Sequence, residues 1–235
     1  MPEIRALTAH HEFREAVRLQ RQIWGFEDVE VLPARLFVVA SKIGGQVLGA
    51  FDDARMVGFC LAIPGVKPDG AAYLHSHMLG VDEEYRNTGV GRALKLAQRD
   101  DALARGIHLI EWTFDPLELK NAFFNIERLG AIARRYVHNQ YGATSSPLSG
   151  GLPTDRCVAE WWLHSPRTNR STATLRVSVP SNIADLRSSD PPRARAIQEA
   201  TGSALESAFA DGLAVVGFER ADQAGTYLLG KWEPQ

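Results

Sequence analysis

The stretch Leu79–Arg105, LGVDEEYRNTGVGRALKLAQRDDALAR, constrains this chain more than any other. Its start closes an apolar-rich run, Ala71 to Val81, that reads as a strand. Its last third reads as a helix, with Val90, Ala93, Leu94, Ala97 and Ala104 on one apolar stripe and Arg92, Lys95 and Arg99 off it. Between them lies Arg86-Asn87-Thr88-Gly89-Val90-Gly91-Arg92. A strand passing through a glycine-bearing turn into a helix leaves several main-chain N–H groups unpaired and aimed at one point. The helix dipole adds about half a positive charge there, so such a turn suits phosphate oxygens. Gly89 and Gly91 keep Cβ atoms out of the anion's way. The motif ends Gly-Arg-Ala, which excludes a Walker loop, and it lacks the third glycine of a dinucleotide fingerprint.

The chain has 235 residues, 45% of them hydrophobic, enough for one large core or two modest ones. Its formal net charge is −2 and no run of like charge is long enough for a nucleic-acid face. The opening MPEIRALTAHHEF has no apolar signal core, and no stretch approaches the ~18 apolar residues of a membrane span. Cys60 and Cys157 lie far apart, which indicates neither a disulfide framework nor a zinc knuckle. A cytoplasmic protein without metal, membrane or nucleic-acid partner is expected; a homodimer is compatible with the sequence.

Taken in order, Ile4 to Leu7 suits a short strand and Thr8 a helix cap. Phe13 to Trp24 suits a helix ended by Gly25, and Leu32 to Ile43 a second, stopped by Gly44-Gly45. Gln46 to Phe51 and Met56 to Ile63 are strands of a hairpin around Asp52 to Arg55, and Pro64 to Gly70 is a turn-rich link. After the motif helix come a strand from His108 to Phe114, a helix from Leu119 to Leu129 and a strand from Ala131 to Val137. Further on, Ser145 to Asp155 reads as a Gly/Pro/Ser loop and Ser165 to Ala173 as a turn. Val158 to Leu163 and Thr174 to Val179 read as strands. Pro191 to Ala210 reads as a helix striped by Ala194, Ile197, Ala200, Ala204, Leu205 and Ala208. Leu213 to Phe218 and Tyr227 to Lys231 form a hairpin. The layout is α/β, with a smaller C-terminal α+β lobe.

Arg-x-x-Gly-x-Gly after a strand resembles motif A of the GNAT acyltransferases, and the element order is that of a GNAT domain. The run HSHMLGVDEEYRNTGVGRALKLAQ, followed by WTFDPLELKNAFFNIERLGA and RRYVHNQYG, is similar to a subgroup of bacterial GNAT acetyltransferases. The resemblance implies a mixed central sheet flanked by helices, with residues 1–142 as the acyl-CoA-binding domain. Residues 143–156 would then be a loop and 157–235 a strand–helix–hairpin extension packed on it. It implies acetyl-CoA, or another acyl-CoA, as co-substrate, its pyrophosphate held by Arg86, Asn87, Thr88, Gly89, Val90, Gly91 and Arg92. It also implies that Met78, Leu79, Gly80 and Val81 pair with the pantetheine arm like an added strand. An Asn near Asn121 would contact the same arm, with Phe124 packing on the cofactor.

Direct acyl transfer needs a base for the amine, a polarised carbonyl and a proton for the thiolate. Alternation puts Tyr73, His75, His77 and Leu79 on one face, with Leu74, Ser76 and Met78 on the other. His77 is the preferred base; the other reading is a core histidine. Asp115 either binds the amine or orients a histidine, or is only a helix-entry carboxylate before Pro116. Asn121 and Asn125 stand one helical turn apart on one face. The family's tyrosine, the usual acid, falls at Ile126 here, so Tyr136, Asn125, Tyr141 or water would donate the proton. Arg128, Arg134 and Arg135 suit an anionic ligand or plain solvated surface. The function implied is N-acyl transfer, chiefly acetyl, to a primary amine of a small molecule or amino acid. The alternatives are a CoA-binding regulatory module and a protein or peptide N-acetyltransferase.

Overall fold

The computed structural model describes residues 2–142, 144, 150–165 and 173–234. Residues 145–149 of the expected loop and 166–172 of the expected turn lie outside them. The described chain divides into two compact units inside its fifth strand, one running to Glu111 and the other starting at Trp112.

The first unit contains strand β1 (Glu3–Ala6), helices α1 (His10–Trp24) and α2 (Ala34–Lys42), and strands β2 (Gln46–Asp52), β3 (Arg55–Val66) and β4 (Ala72–Val81). A 3-10 turn, Glu83–Tyr85, then leads to helix α3 (Val90–Ala104) and the start of β5 (Leu109–Phe114). β1 to β4 are antiparallel neighbours in chain order, and β5 joins β4 in parallel. Ala9, not Thr8, is the residue at the mouth of α1. Glu12 reaches back and its Oε2 accepts the N–H groups of Thr8 at 2.8 Å and Ala9 at 3.0 Å. The β2–β3 turn bends at Asp53 with φ 51°, a conformation that aspartate tolerates better than most side chains.

Alternation along β2 and β3 feeds two cores. Val47, Phe51, Met56, Phe59 and Leu61 pack with Phe13, Leu19 and Phe37 of α1 and α2. Leu48, Ala50, Val57 and Cys60 pack under Val90 and Leu94 of α3. Each Val, Leu, Phe or Met side chain so buried contributes about 1.5–3 kcal/mol.

One irregularity matters. Leu61 pairs with Met78 and Ala62 with Ser76, so His77 is an extra residue opposite β3. This β-bulge reverses the alternation. Ser76 faces α3, where Lys95 Nζ donates to its Oγ at 3.0 Å, whereas Met78 packs on the α1–α2 core and Leu79 on the α3 core. The expectation that Ser76 and Met78 share a face fails for that reason. Lys95 also departs from its expected place off the stripe: it is 2% exposed and donates to Gln98 Oε1 at 2.7 Å. Its long stem fills the space over Ser76.

The second unit holds the end of β5, helix α4 (Leu119–Phe123), a π-helical turn Phe124–Arg128, β6 (Ile132–Val137), β7 (Arg156–Trp162) and β8 (Ala173–Pro180). Helices α5 (Ile183–Ser189) and α6 (Pro191–Ala210) and strands β9 (Leu213–Arg220) and β10 (Ala224–Lys231) complete it. Its strand order is β5-β7-β6-β9-β10-β8. Asp190 caps α6, accepting Arg193 N at 3.2 Å, with Pro191 at the first helical position. The buried face of α6 is Ala194, Gln198, Thr201, Gly202, Leu205 and Ala208. Ala200 points outward instead, because Gly202 must lie against the Tyr136 ring. α5 has no counterpart among the expected elements.

Burial pushes the Lys95 ammonium down to about 7. An unfolded lysine stays charged to about pH 10.4, so this group's penalty on folding is full below pH 7 and fades as pH rises towards 10.4. Urea unfolding should therefore show stability rising across that interval, and Lys95→Met should flatten the rise.

Candidate active site

The motif turn is pinned from below and open above. Asp82, 1% exposed, accepts Arg55 at 3.0 Å and, through its other oxygen, Glu84 N at 3.3 Å. Tyr85 Oη donates to Asp52 at 2.5 Å and Thr88 Oγ1 to Tyr85 O at 2.6 Å. Val90, 2% exposed, anchors the helix start in the α3 core. Asn87 and Gly89 take positive φ, 64° and 96°, which turns the chain into the helix. From Asn87 through Arg92 no main-chain N–H meets an acceptor among the described residues; the first such bond into the helix is Ala93 N to Gly89 O, at 2.9 Å. The first turn of α3 carries no acidic residue, and Arg86 and Arg92 are exposed beside it. Unpaired donors at a helix mouth with cations alongside fit a diphosphate.

β4 continues the site. Its parallel pairing with β5 is limited to Leu74 with Ile110 and His75 with Glu111. Beyond those, Met78, Leu79, Gly80 and Val81 have a strand partner on the β3 side only among the described residues, so an added strand has free backbone groups to pair with. His77 sits on the bulge, half-buried, its ring 5.9 Å from that of His75. Burial lowers the His77 pKa, which keeps the imidazole neutral and able to take a proton at neutral pH.

The other two catalytic candidates belong to the second unit. Asp115 Oδ2 binds Arg187 at 2.7 Å while its Oδ1 accepts Leu117 N at 2.8 Å. Tyr136 Oη donates to Asp155 Oδ2 at 2.8 Å, and burial, then that bond, push the phenol well above its ordinary pKa. Tyr141 Oη lies 2.7 Å from Thr113 Oγ1. Asn121 is exposed but Asn125 is 5% exposed, because the π turn beginning at Phe124 breaks the spacing that would put both on one face. Phe124 is half-buried. Ile126, where the family places tyrosine, is fully buried.

Arg134 and Arg135 both bind Glu160, at 2.9 and 3.3 Å, and Arg134 also stacks near Trp162 and Trp232, so neither is merely solvated. Cys60 and Cys157 are buried thiols; burial pushes Cys60 up to about 12 and Cys157 higher still, which makes both poor nucleophiles. Among the described residues no group of three His, Cys, Asp or Glu side chains could hold a metal ion, and no helix is long and apolar enough to cross a membrane. Sequence reasoning missed Lys95, Asp155 and Arg187 as buried partners. No local signal marks them, since each is defined by what folds against it.

The sequence pattern of the acetyltransferase (GNAT) family matches residues 10–130. No curated protein matches the sequence. Among solved structures, an alanine N-acetyltransferase of a ribosomal protein from Escherichia coli is 18% identical, over 69% of this chain and 94% of that one, with a TM-score of 0.54. An aminoglycoside 6′-acetyltransferase of type Ii is 19% identical, over 71% and 99%, with a TM-score of 0.55. YncA from Salmonella typhimurium, solved with its cofactor acetyl-CoA, is 14% identical, over 72% and 98%, with a TM-score of 0.56. The chain belongs to the GNAT acetyltransferase family. It is an acyl-CoA-dependent acyltransferase, and acetyl-CoA is the family's co-substrate.

The two glycines of the turn should respond differently to a methyl group. A Cβ on Gly89 meets nothing within 4 Å, so the cost is the left-handed backbone alone, about 1 kcal/mol. A Cβ on Gly91 comes to 3.6 Å from Val81 Cγ2, an ordinary contact, in a helix that favours alanine. Denaturant unfolding should place Gly91→Ala level with or above the parent and Gly89→Ala below it.

Proposed function

We propose that this chain moves an acyl group, acetyl foremost, from acyl-CoA directly to the primary amine of a small molecule or amino acid. The observation that carries the reading is the run of N–H groups from Asn87 to Arg92, at the mouth of α3, unpaired among the described residues. These, with Arg86 and Arg92, hold the cofactor's pyrophosphate. Met78, Leu79, Gly80 and Val81 pair with its pantetheine arm, and a main-chain N–H near Leu79 polarises the thioester carbonyl as charge develops on its oxygen. Asn121 and Phe124 are proposed as further contacts of that arm. The proposed domain organisation is an acyl-CoA domain over residues 1–142 with an extension from 157, working in the cytoplasm.

His77 is assigned the base. It accepts the proton of the acceptor ammonium, directly or through one water, and the free amine attacks the thioester carbonyl. The C–N bond forms and the C–S bond breaks; the attacking nitrogen sheds its second proton to water, a proton returns from water to the departing thiolate, and coenzyme A leaves as the thiol. Asp115 and Tyr136 are assigned supporting parts, since both already engage partners: Asp115 shapes the entry to α4 and Tyr136 holds its proton against Asp155. The buried Ile126 lends weight to a second reading, a CoA-binding module without turnover. A peptide or protein amine is the other acceptor class, one that the ribosomal-protein enzyme among the structural neighbours acts on.

Release of coenzyme A thiol, measured over a panel of small amines, amino acids and peptides, separates these readings. Turnover with a small amine supports the proposal; acetyl-CoA binding with no thiol release for any acceptor overturns it in favour of the regulatory module. Gly89→Glu puts bulk and negative charge into the phosphate cradle and should abolish acetyl-CoA binding in a calorimetric titration. Because burial lowers the His77 pKa, the acid limb of the wild-type rate should lie below the ordinary imidazole range, with the rate level above it. His77→Ala should lower kcat by about 10²-fold or more and erase that acid limb.

A further inference from the structure

The family match ends at residue 130, yet much of the chain lies beyond it, and that part closes on one short segment. The segment runs from Asp115 at the end of β5 through α4 to the π turn at Arg128. From α5, Arg187, with a 6% exposed side chain, donates to Asp115 Oδ2 at 2.7 Å and to Glu118 Oε1 at 2.8 Å. Asp115 uses its other oxygen to accept Leu117 N, so one carboxylate both closes the turn and receives the guanidinium. Glu118 stands at the entry of α4. From β10, the fully buried Tyr227 donates its hydroxyl to Pro116 O at 2.6 Å. Gly225 of the same strand lies so close to α4 that a Cβ there would come within 2.9 Å of Leu119 Cδ2. From β9, Phe218 N donates to Glu127 Oε1 in the π turn at 2.7 Å.

α4 needs this help. Five residues are too few for a helix to stand alone, no side chain caps its start, and a π turn follows at once. Its direction is therefore set by what holds it from outside. Arg187 suits the task because its planar fork meets two carboxylates in fixed geometry, which a lysine cannot reproduce. We propose that the α5–β10 extension is a brace for α4, and that Arg187 and Tyr227 are positioning residues that set the direction of Asn121 and Phe124, the two residues proposed above as contacts of the pantetheine arm. This rests on the assignment of those two residues to the arm.

The test is calorimetric titration of the full chain with two probes, acetyl-CoA, which has the arm, and 3′-phospho-ADP, which lacks it. Arg187→Gln and Tyr227→Phe should each weaken acetyl-CoA binding about tenfold while changing 3′-phospho-ADP by less than about twofold, with Arg187→Lys in between. Tyr227→Phe removes one hydroxyl and no volume, so it decides the matter with Arg187→Lys if Arg187→Gln does not fold. Equal loss for both probes, or a lowered melting temperature with unchanged acetyl-CoA binding, would show a merely structural part and overturn the brace. Gly89→Glu, run alongside, should weaken both probes. If it binds both normally, the phosphate-loop assignment itself fails, and the brace with it.

Discussion

Main-chain donors left without acceptors among the described residues are what the first unit is arranged around. A helix must start somewhere with unpaired N–H groups, but most proteins cap them with a side chain. Here the residue at the mouth of α3 is Gly89, which has no side chain to offer, and the first turn bears no carboxylate. The turn is nonetheless held firmly from beneath by Asp82, Tyr85 and buried Val90. Rigid backing with open donors is what an anion site needs, since donors that are already placed lose little entropy when the ligand arrives.

The bulge on β4 extends the same logic to His77, the proposed base. A regular strand would have turned His77 toward one core or the other. The extra residue instead lets Ser76 and Leu79 face α3, lets Met78 face the α1–α2 core, and leaves His77 on the bulge between them. Lys95 helps to hold this arrangement from the α3 side, at the expense of carrying an amine whose charge the interior disfavours. Replacing such a group with an apolar one is often neutral or stabilising, so its presence under the bulge is not explained by stability alone.

In the second unit several carboxylates are already occupied. Asp115 and Glu118 share Arg187, Asp155 takes the Tyr136 hydroxyl, and Glu160 draws both Arg134 and Arg135. The Arg187 pairs tie α5 to the stretch that matches the family, and the others join β6 to β7 and to the residue before it. Of these, the Arg187 pairs stand at the entry of α4, which is five residues long and followed by a π turn.

Much was legible from residue order alone. The strand-turn-helix at Ala71 to Ala104, the β2–β3 hairpin and the length of α6 follow from local periodicity and from glycine at helix ends, which neighbours in sequence decide. Arg-x-x-Gly-x-Gly marked the turn proposed to hold the phosphates, because its donors are main-chain atoms whose direction the turn itself sets. The bulge at His77, the burial of Lys95, the π turn that separates Asn121 from Asn125, and the grip of Arg187 on Asp115 were not legible. Each arises where a segment meets a partner distant in sequence, and the packing there, not local preference, chooses which face a side chain presents.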